Sequence, residues 1–449
     1  MRRLNRSNDA PYGAGILLAF LSRETRGIPM PHNDSKQNVP SPTFGSPVGF
    51  VISMAIGFGL YALLSVLVAQ ESTLIPQLDY TNVITGITGI TASLPRQLVW
   101  FLMDFTEPQF YASVFAGAGT IIGGAAAYLL ARKNSRFQGF TVCYGEHRMF
   151  PWVLASQVLS LALTIFVFRF IDGFGAAGDV TCVATFIPIV AAPPATMLLY
   201  GPSVPALLTS SVLAALLCSP TATWLTATIG TPLGLPGVVS NVTAMALTGF
   251  VIFIVLRELP WITKQDIPQN RGTLGPVEDV TTPLWFVRRV LAEFSEAPFY
   301  GNEVASLFIF AGLILGTILC PGHNVNGAGA ALPAIVLSQF TSAAVGVLLY
   351  ASKFADGGWC ATYVPVVSTG PACVLALGAN IPVALVAGVL GGILGAPIAE
   401  LVASWLPKDI HGTVANVASM AITTSVVYIA MSALATSFTY AYLGALLWL

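Results

Sequence analysis

Two stretches decide how this chain is read: Asp179-Val-Thr-Cys-Val-Ala-Thr-Phe-Ile-Pro188, continuing to Pro205, and Asp356-Gly-Gly-Trp-Cys-Ala-Thr-Tyr-Val-Pro365, continuing to Pro382. They align without a gap, and ten of twenty-seven positions are identical, including Ala184/Ala361, Thr185/Thr362, Pro188/Pro365, Pro194/Pro371 and Gly201/Gly378. Two residues then drop out of the second copy. The match resumes as Gly237-Val-Val-Ser-Asn241-Val-Thr-Ala-Met245 against Gly412-Thr-Val-Ala-Asn416-Val-Ala-Ser-Met420. The chain therefore holds an internal duplication. Fainter matches of Phe150–Gln157 with Leu332–Gln339, and of Phe115–Gly117 with Phe310–Gly312, extend the two units upstream.

Both copies lie in strongly apolar sequence. Of 449 residues 55% are hydrophobic and 9% charged, with a mean hydropathy of +0.77. No Lys, Arg, Asp, Glu or His occurs between Val180 and Leu256, a run long enough for about three helices at roughly 20 residues per crossing. Such a chain uses the bilayer as its solvent. A net charge of −1 argues against a nucleic-acid partner. The six cysteines (143, 182, 218, 320, 360, 373) form no Cys-x-x-Cys pair, so neither a disulfide framework nor a zinc site is expected, and no metal or other cofactor is implied.

Loop charge sets the expected topology. Arg132, Lys133, Arg136 and Arg148 form one basic cluster, and Arg257, Lys264, Arg271, Arg288 and Arg289 another. The positive-inside rule puts both in the cytoplasm. About five crossings per unit satisfy this, and an odd number inserts the second copy upside down relative to the first. The expected fold is an all-α polytopic membrane protein of two inverted-topology repeats, with discontinuous or re-entrant segments and extra helices at the ends. The expected division is a cytoplasmic, largely disordered tail (1–46), a first transmembrane helix and an interfacial or re-entrant segment (47–109), repeat 1 (110–256), a cytoplasmic linker carrying little chemistry (257–302), repeat 2 (303–432) and a C-terminal helix (433–449).

Candidate site residues follow from the duplication. Prolines inside apolar crossings free backbone carbonyls, which hydrocarbon tolerates only beside protein or a water-filled cavity. Thr185 with Pro188, and Thr362 with Pro365, are therefore expected at a substrate site, where ordinary kinks are the alternative. Gly237 and Gly412 open a later helix in each copy, with Asn241 and Asn416 one turn in. These pairs suit a polar ligand or, equally, helix–helix adhesion. Asp179, Asp356 and Glu400 are the candidate ion-coupling carboxylates. A helix-capping role for the two aspartates, and a surface position near Lys408 for Glu400, are the alternatives. Asp356 also aligns with Asp172. Ser156-Gln157 and Ser338-Gln339 read as interhelical hydrogen bonds.

No nucleophile elbow, Walker loop, kinase set or zinc signature is present, so an enzyme is not expected. The pattern fits a secondary active transporter of a small polar, conceivably anionic, solute, coupled to H⁺ or Na⁺ by alternating access. A channel on the same repeat is the alternative, and a phosphotransfer permease subunit or a membrane-embedded enzyme fits less well. The partners implied are a small-molecule substrate, a coupling ion and the lipid bilayer of a plasma (inner) membrane, with the N-terminus cytoplasmic and a homo-oligomer allowed.

Overall fold

The computed structural model describes residues 44–70, 73–84, 93–144, 147–172, 184–267, 279–321 and 329–446. The regular elements among them are all helical. Eight of these helices are long and apolar enough to cross a membrane, which makes the protein an α-helical polytopic membrane protein. The tail 1–43 lies outside the described residues.

In chain order the helices are α1 Pro47–Val68, α2 Tyr80–Ile84, α3 Leu94–Asp104, α4 Val114–Arg132, α5 Phe150–Ala162, α6 Ala192–Tyr200, α7 Val204–Leu225, α8 Gly237–Glu258, α9 Pro283–Ala292, α10 Glu303–Leu319, α11 Leu332–Tyr350, α12 Thr369–Leu377, α13 Ile381–Trp405 and α14 Thr413–Leu446. Many begin on a side-chain cap: Ser46, Ser113, Ser203, Asn302 and Asn380 each accept a hydrogen bond from the backbone N–H three residues on. That satisfies one of the donors a helix start leaves unpaired. Proline fills the first turn of α1, α3, α5, α9 and α11, where it removes no helical hydrogen bond.

The two sequence copies fold into the same run of elements. Three-residue-per-turn segments, Ala184–Val190 and Val364–Val367, precede α6 and α12. Each break falls at an equivalent residue: Ala191 (φ −110°, ψ −133°) and Ser368 (φ −147°, ψ −81°) both leave the helical region. The proline-rich crossings are therefore discontinuous. Their freed carbonyls find donors in part: Gln157 Nε2 donates to the Ile189 carbonyl and Ser219 Oγ to that of Ala184.

Upstream, the duplication runs further than the sequence comparison reached. Asp104-Phe-Thr-Glu-Pro-Gln-Phe-Tyr-Ala-Ser113 matches Glu293-Phe-Ser-Glu-Ala-Pro-Phe-Tyr-Gly-Asn302, and most of its hydrogen bonds recur there. Phe110 and Phe299 both take positive φ, 66° and 68°, and their amides donate to Glu107 and Glu296 carbonyls at 2.8 Å in each case. Thr106 and Ser295 each accept the amide of the following cap, Ser113 or Asn302. This register pairs Phe115 with Val304, correcting the pairing of Phe115 with Phe310.

Two pairs of equivalent helices run antiparallel where they touch. Along α4 and α10, a side chain at Gly119 would strike the Phe308 carbonyl oxygen and one at Gly312 that of Phe115. Only glycine permits so close a crossing, the usual device where helices pack in lipid. Along α8 and α14, Arg257 reaches Asp409 at 2.9 Å, Phe253 lies against His411, and Gly249 faces Val414. Residue numbers fall on one helix as they rise on the other.

One further expectation changes. The helix that closes repeat 2 and the C-terminal helix expected from 433 are one continuous helix as far as Leu446, α14, because neither proline nor glycine occurs between Thr413 and Tyr442 to interrupt it. Between α1 and α4, in the stretch expected to be interfacial or re-entrant, the described helices are the turns Pro76–Leu78 and Glu107–Gln109, α2 and the eleven-residue α3, each at about 1.5–2 Å per residue too short to cross a bilayer.

Candidate functional site

A cavity of about 530 Å³ lies between the two copies. Repeat-equivalent residues contribute to its wall in pairs: Pro108 and Ala297, Phe186 and Tyr363, Val190 and Val367, Val242 and Val417, Met245 and Met420. The cavity therefore straddles whatever axis relates the copies. Thr226 and Ala227 also line it, from the wide (π) turn Thr226–Gly230 that ends α7, a distortion frequent at functional sites. Among the described residues its polar side chains are those of Thr223, Thr226, Thr231, Asn241 and Tyr363, and its one ionisable carboxyl group is that of Glu107.

Of the residues expected from sequence at the substrate site, Gly237 and Asn241 line the cavity. The others stand behind its wall or away from it. Asn416 donates from Nδ2 to the Tyr363 hydroxyl at 3.3 Å, and so holds a lining residue. Gly412 precedes α14 and accepts the Asn416 amide. Pro188 is buried within its segment, and the segment carrying Pro365 packs on α13.

Thr185 and Thr362 are buried and fully engaged. The Trp100 indole donates to Thr185 Oγ1 at 2.8 Å, and Thr185 donates to Asp104 Oδ2 at 2.7 Å. In the second copy, Thr362 donates to Glu293 Oε1 at 2.6 Å. Arg289, equivalent to Trp100, pairs with Glu293 at 3.0 Å and also with Glu296. Each threonine hydroxyl thus orients a carboxyl group, and is not free for a ligand.

Of the three expected coupling carboxylates only Glu400 has a described side chain, and it does not line the cavity. Glu400 is ion-paired with Lys353 at 2.8 Å, with both side chains over a third exposed. Asp179 lies outside the described residues. Asp356 falls in the turn Ala351–Gly357, and its side chain lies outside the described set.

Of the buried carboxyl groups outside the eight spans, Glu107 lines the cavity, Asp104 acts on it from the end of α3, and Glu293 and Glu296 hold the equivalent positions in the second copy beside Arg289. Burial holds Asp104 well above the usual carboxylate range, against the lowering effect of Thr185. It pushes Glu107 up to about 8. It pushes Glu293 up to about 7, opposed by Arg289. Glu293 Oε2 and Glu296 Oε2 are buried and have no hydrogen-bond partner among the described residues. Arg289 pairs with Glu293 and Glu296, whereas Asp104 and Glu107 are ion-paired with no described residue, so their charge must be met by protons or by a bound cation.

Sequence reasoning missed these four acids and Arg289, placing three of the five in a linker of little chemistry. The signal was the second duplicated motif, with Phe105/Phe294, Glu107/Glu296, Phe110/Phe299 and Tyr111/Tyr300 identical. Gln157 and Gln339 also prove structural. Gln157 accepts from Tyr300 Oη at 3.1 Å and donates to the Pro298 carbonyl, and Gln339 accepts from Tyr111 Oη at 2.7 Å and donates to the Gln109 carbonyl.

Comparison with known protein families, with curated proteins and with solved structures gave no match.

Proposed function

We propose that this protein is a secondary active transporter of a small polar solute, coupled to H⁺ or Na⁺, working by alternating access between two inverted repeats. The observation that carries the reading is the cavity between the copies, walled by equivalent residues from each. In carriers built from inverted repeats, discontinuous helices meet at a central site, and rocking of one unit against the other exposes it to either side. The antiparallel courses of α4 with α10 and of α8 with α14 support the inversion. A repeat related by an axis along the membrane normal would make equivalent helices parallel. The basic residues Arg132 and Arg257, at the ends of α4 and α8, support a cytoplasmic assignment for both ends and for the N-terminus, in a plasma membrane.

The lining favours a neutral or cationic solute over an anionic one, because among the described residues it offers a carboxyl group and no Lys, Arg or His. The test is uptake by the purified full chain in proteoliposomes, across a panel of amines, amino acids, nucleosides, sugars and organic acids, under an imposed pH or Na⁺ gradient. Saturable uptake with turnover on the order of 1–10³ per second is expected, weakened by Asn241→Ala. Ohmic conductance without saturation would replace the carrier with a channel. No gradient-driven flux of any solute would overturn the proposal.

A further inference from the structure

The two halves differ most where the duplicated motif meets its counter-charge. In the second copy, Arg289 sits between Glu293 and Glu296, with all three side chains buried. In the first copy the equivalent acids are Asp104 and Glu107, and the residue in the position of Arg289 is Trp100, whose indole carries no charge. The cation built into one half has no counterpart in the other. Among the described residues the Glu107 carboxyl has no hydrogen-bond or ion-pair partner, and it faces the cavity.

We propose that the cavity takes a monovalent organic cation, an ammonium-type head on an apolar body, whose charge is met by the Glu107 carboxylate, and that a proton replaces it there when the cation leaves. The inference rests on the transporter reading above and names its substrate class. Exchange is one for one: the Glu107 O–H bond breaks and its proton passes to water as the cation arrives, and the reverse occurs on release, so the site keeps its net charge.

The surroundings suit both occupants. A volume near 530 Å³ lies within the range of sites for drug-sized ligands. Val190, Val242 and Val417 give apolar contact, Met245 and Met420 adapt to irregular shapes, and the rings of Phe186 and Tyr363 offer faces to a cation. The titratable groups that act on or face Glu107 are Asp104 on the preceding helix, Tyr80 of α2 and Tyr363 across the cavity. The segments Ala184–Val190 and Val364–Val367, packed against Glu107–Gln109, carry no charged side chain. No fixed positive charge on these elements competes for the carboxylate, and the raised proton affinity of Glu107 lets a proton hold the site near neutral pH.

The experiment is equilibrium binding of ethidium, followed by its fluorescence, to the purified full chain. The uncharged 6-phenylphenanthridine and the anion 8-anilinonaphthalene-1-sulfonate serve as charge controls. Ethidium should bind about tenfold more tightly than the neutral analogue, should tighten as pH rises from about 6 to about 9, and should release a proton on binding, read with an indicator in weak buffer. Glu107→Gln should abolish proton release and the pH dependence, while Glu107→Asp should retain both. Equal ethidium affinity and proton release in Glu107→Gln would overturn the proposal, as would stronger binding of the anion. If Glu107→Gln does not fold, the wild-type comparison of charged and neutral probes, with proton release, still decides. Gradient-driven uptake of a neutral or anionic solute, unchanged in Glu107→Gln, would sink this inference and leave the transporter standing. Glu107-dependent ethidium binding without transmembrane exchange would sink the transporter and leave the site.

Discussion

Replacing Arg289 by methionine removes the guanidinium that pairs with Glu293 and Glu296 while keeping much of the side chain's volume. Arg289 and Glu293 are 8% and 0% exposed and 3.0 Å apart, and Glu296 lies on the other side of the guanidinium. Taking one partner from a buried ion pair leaves an uncompensated charge, at a cost of about 3–5 kcal/mol. The loss should depend on pH. Glu293 already titrates at about 7 in the folded chain against 4.5 unfolded, because burial outweighs Arg289. Without the guanidinium its folded value rises further. The folded state then binds more protons than the unfolded state, so stability is greatest below about 4.5 and falls as pH rises through 7 and beyond. Chemical denaturation in detergent at about pH 5 and about pH 8 should show Arg289→Met losing more stability at the higher pH. Adding Glu293→Gln and Glu296→Gln should restore part of it and flatten the dependence. A loss that is the same at both pH values, or no loss at all, would refute the account of Arg289 as the counter-charge.

Other consequences are open to measurement. Tyr111→Phe and Tyr300→Phe each remove a buried hydrogen bond to a glutamine and should each cost about 1 kcal/mol; unequal effects in denaturant titrations would count against their equivalence. Gly119→Leu and Gly312→Leu drive a side chain into a carbonyl of the facing helix, so both should abolish a monodisperse peak on size exclusion, whereas Gly237→Ala, with open space around it, should not. Glu400→Gln should leave the pH dependence of any transport unchanged, since Lys353 already holds that carboxylate; a flattened uptake profile would return Glu400 to the coupling role.

The membrane-spanning helices were legible because hydropathy needs only composition within a window, and eight helices are long and apolar enough to cross. The breaks at Ala191 and Ser368 were legible because Pro188 and Pro365 lack the N–H a helix needs. What sequence could not supply was which hydroxyls and carboxyls are consumed by each other. Thr185 reads the same whether its hydroxyl faces a ligand or Asp104, eighty-one residues away. Glu293 and Glu296 looked like linker residues because charge in a polar stretch normally marks solvent, and only tertiary packing buries it. Arg289 hid the same way, its charge counted toward topology when it is spent inside.

The crossed glutamine ties also set an order on assembly during synthesis. Gln339 emerges after both of its partners, Gln109 and Tyr111, already exist. Gln157 must wait for Pro298 and Tyr300, 141 and 143 residues downstream, which at typical rates of about 5–20 residues per second is a delay of roughly 7–30 s. Until then the amide of Gln157 has only the Ile189 carbonyl to hold. The leading half of the chain is thus left ajar in the bilayer, and it is the arrival of the second half that locks it.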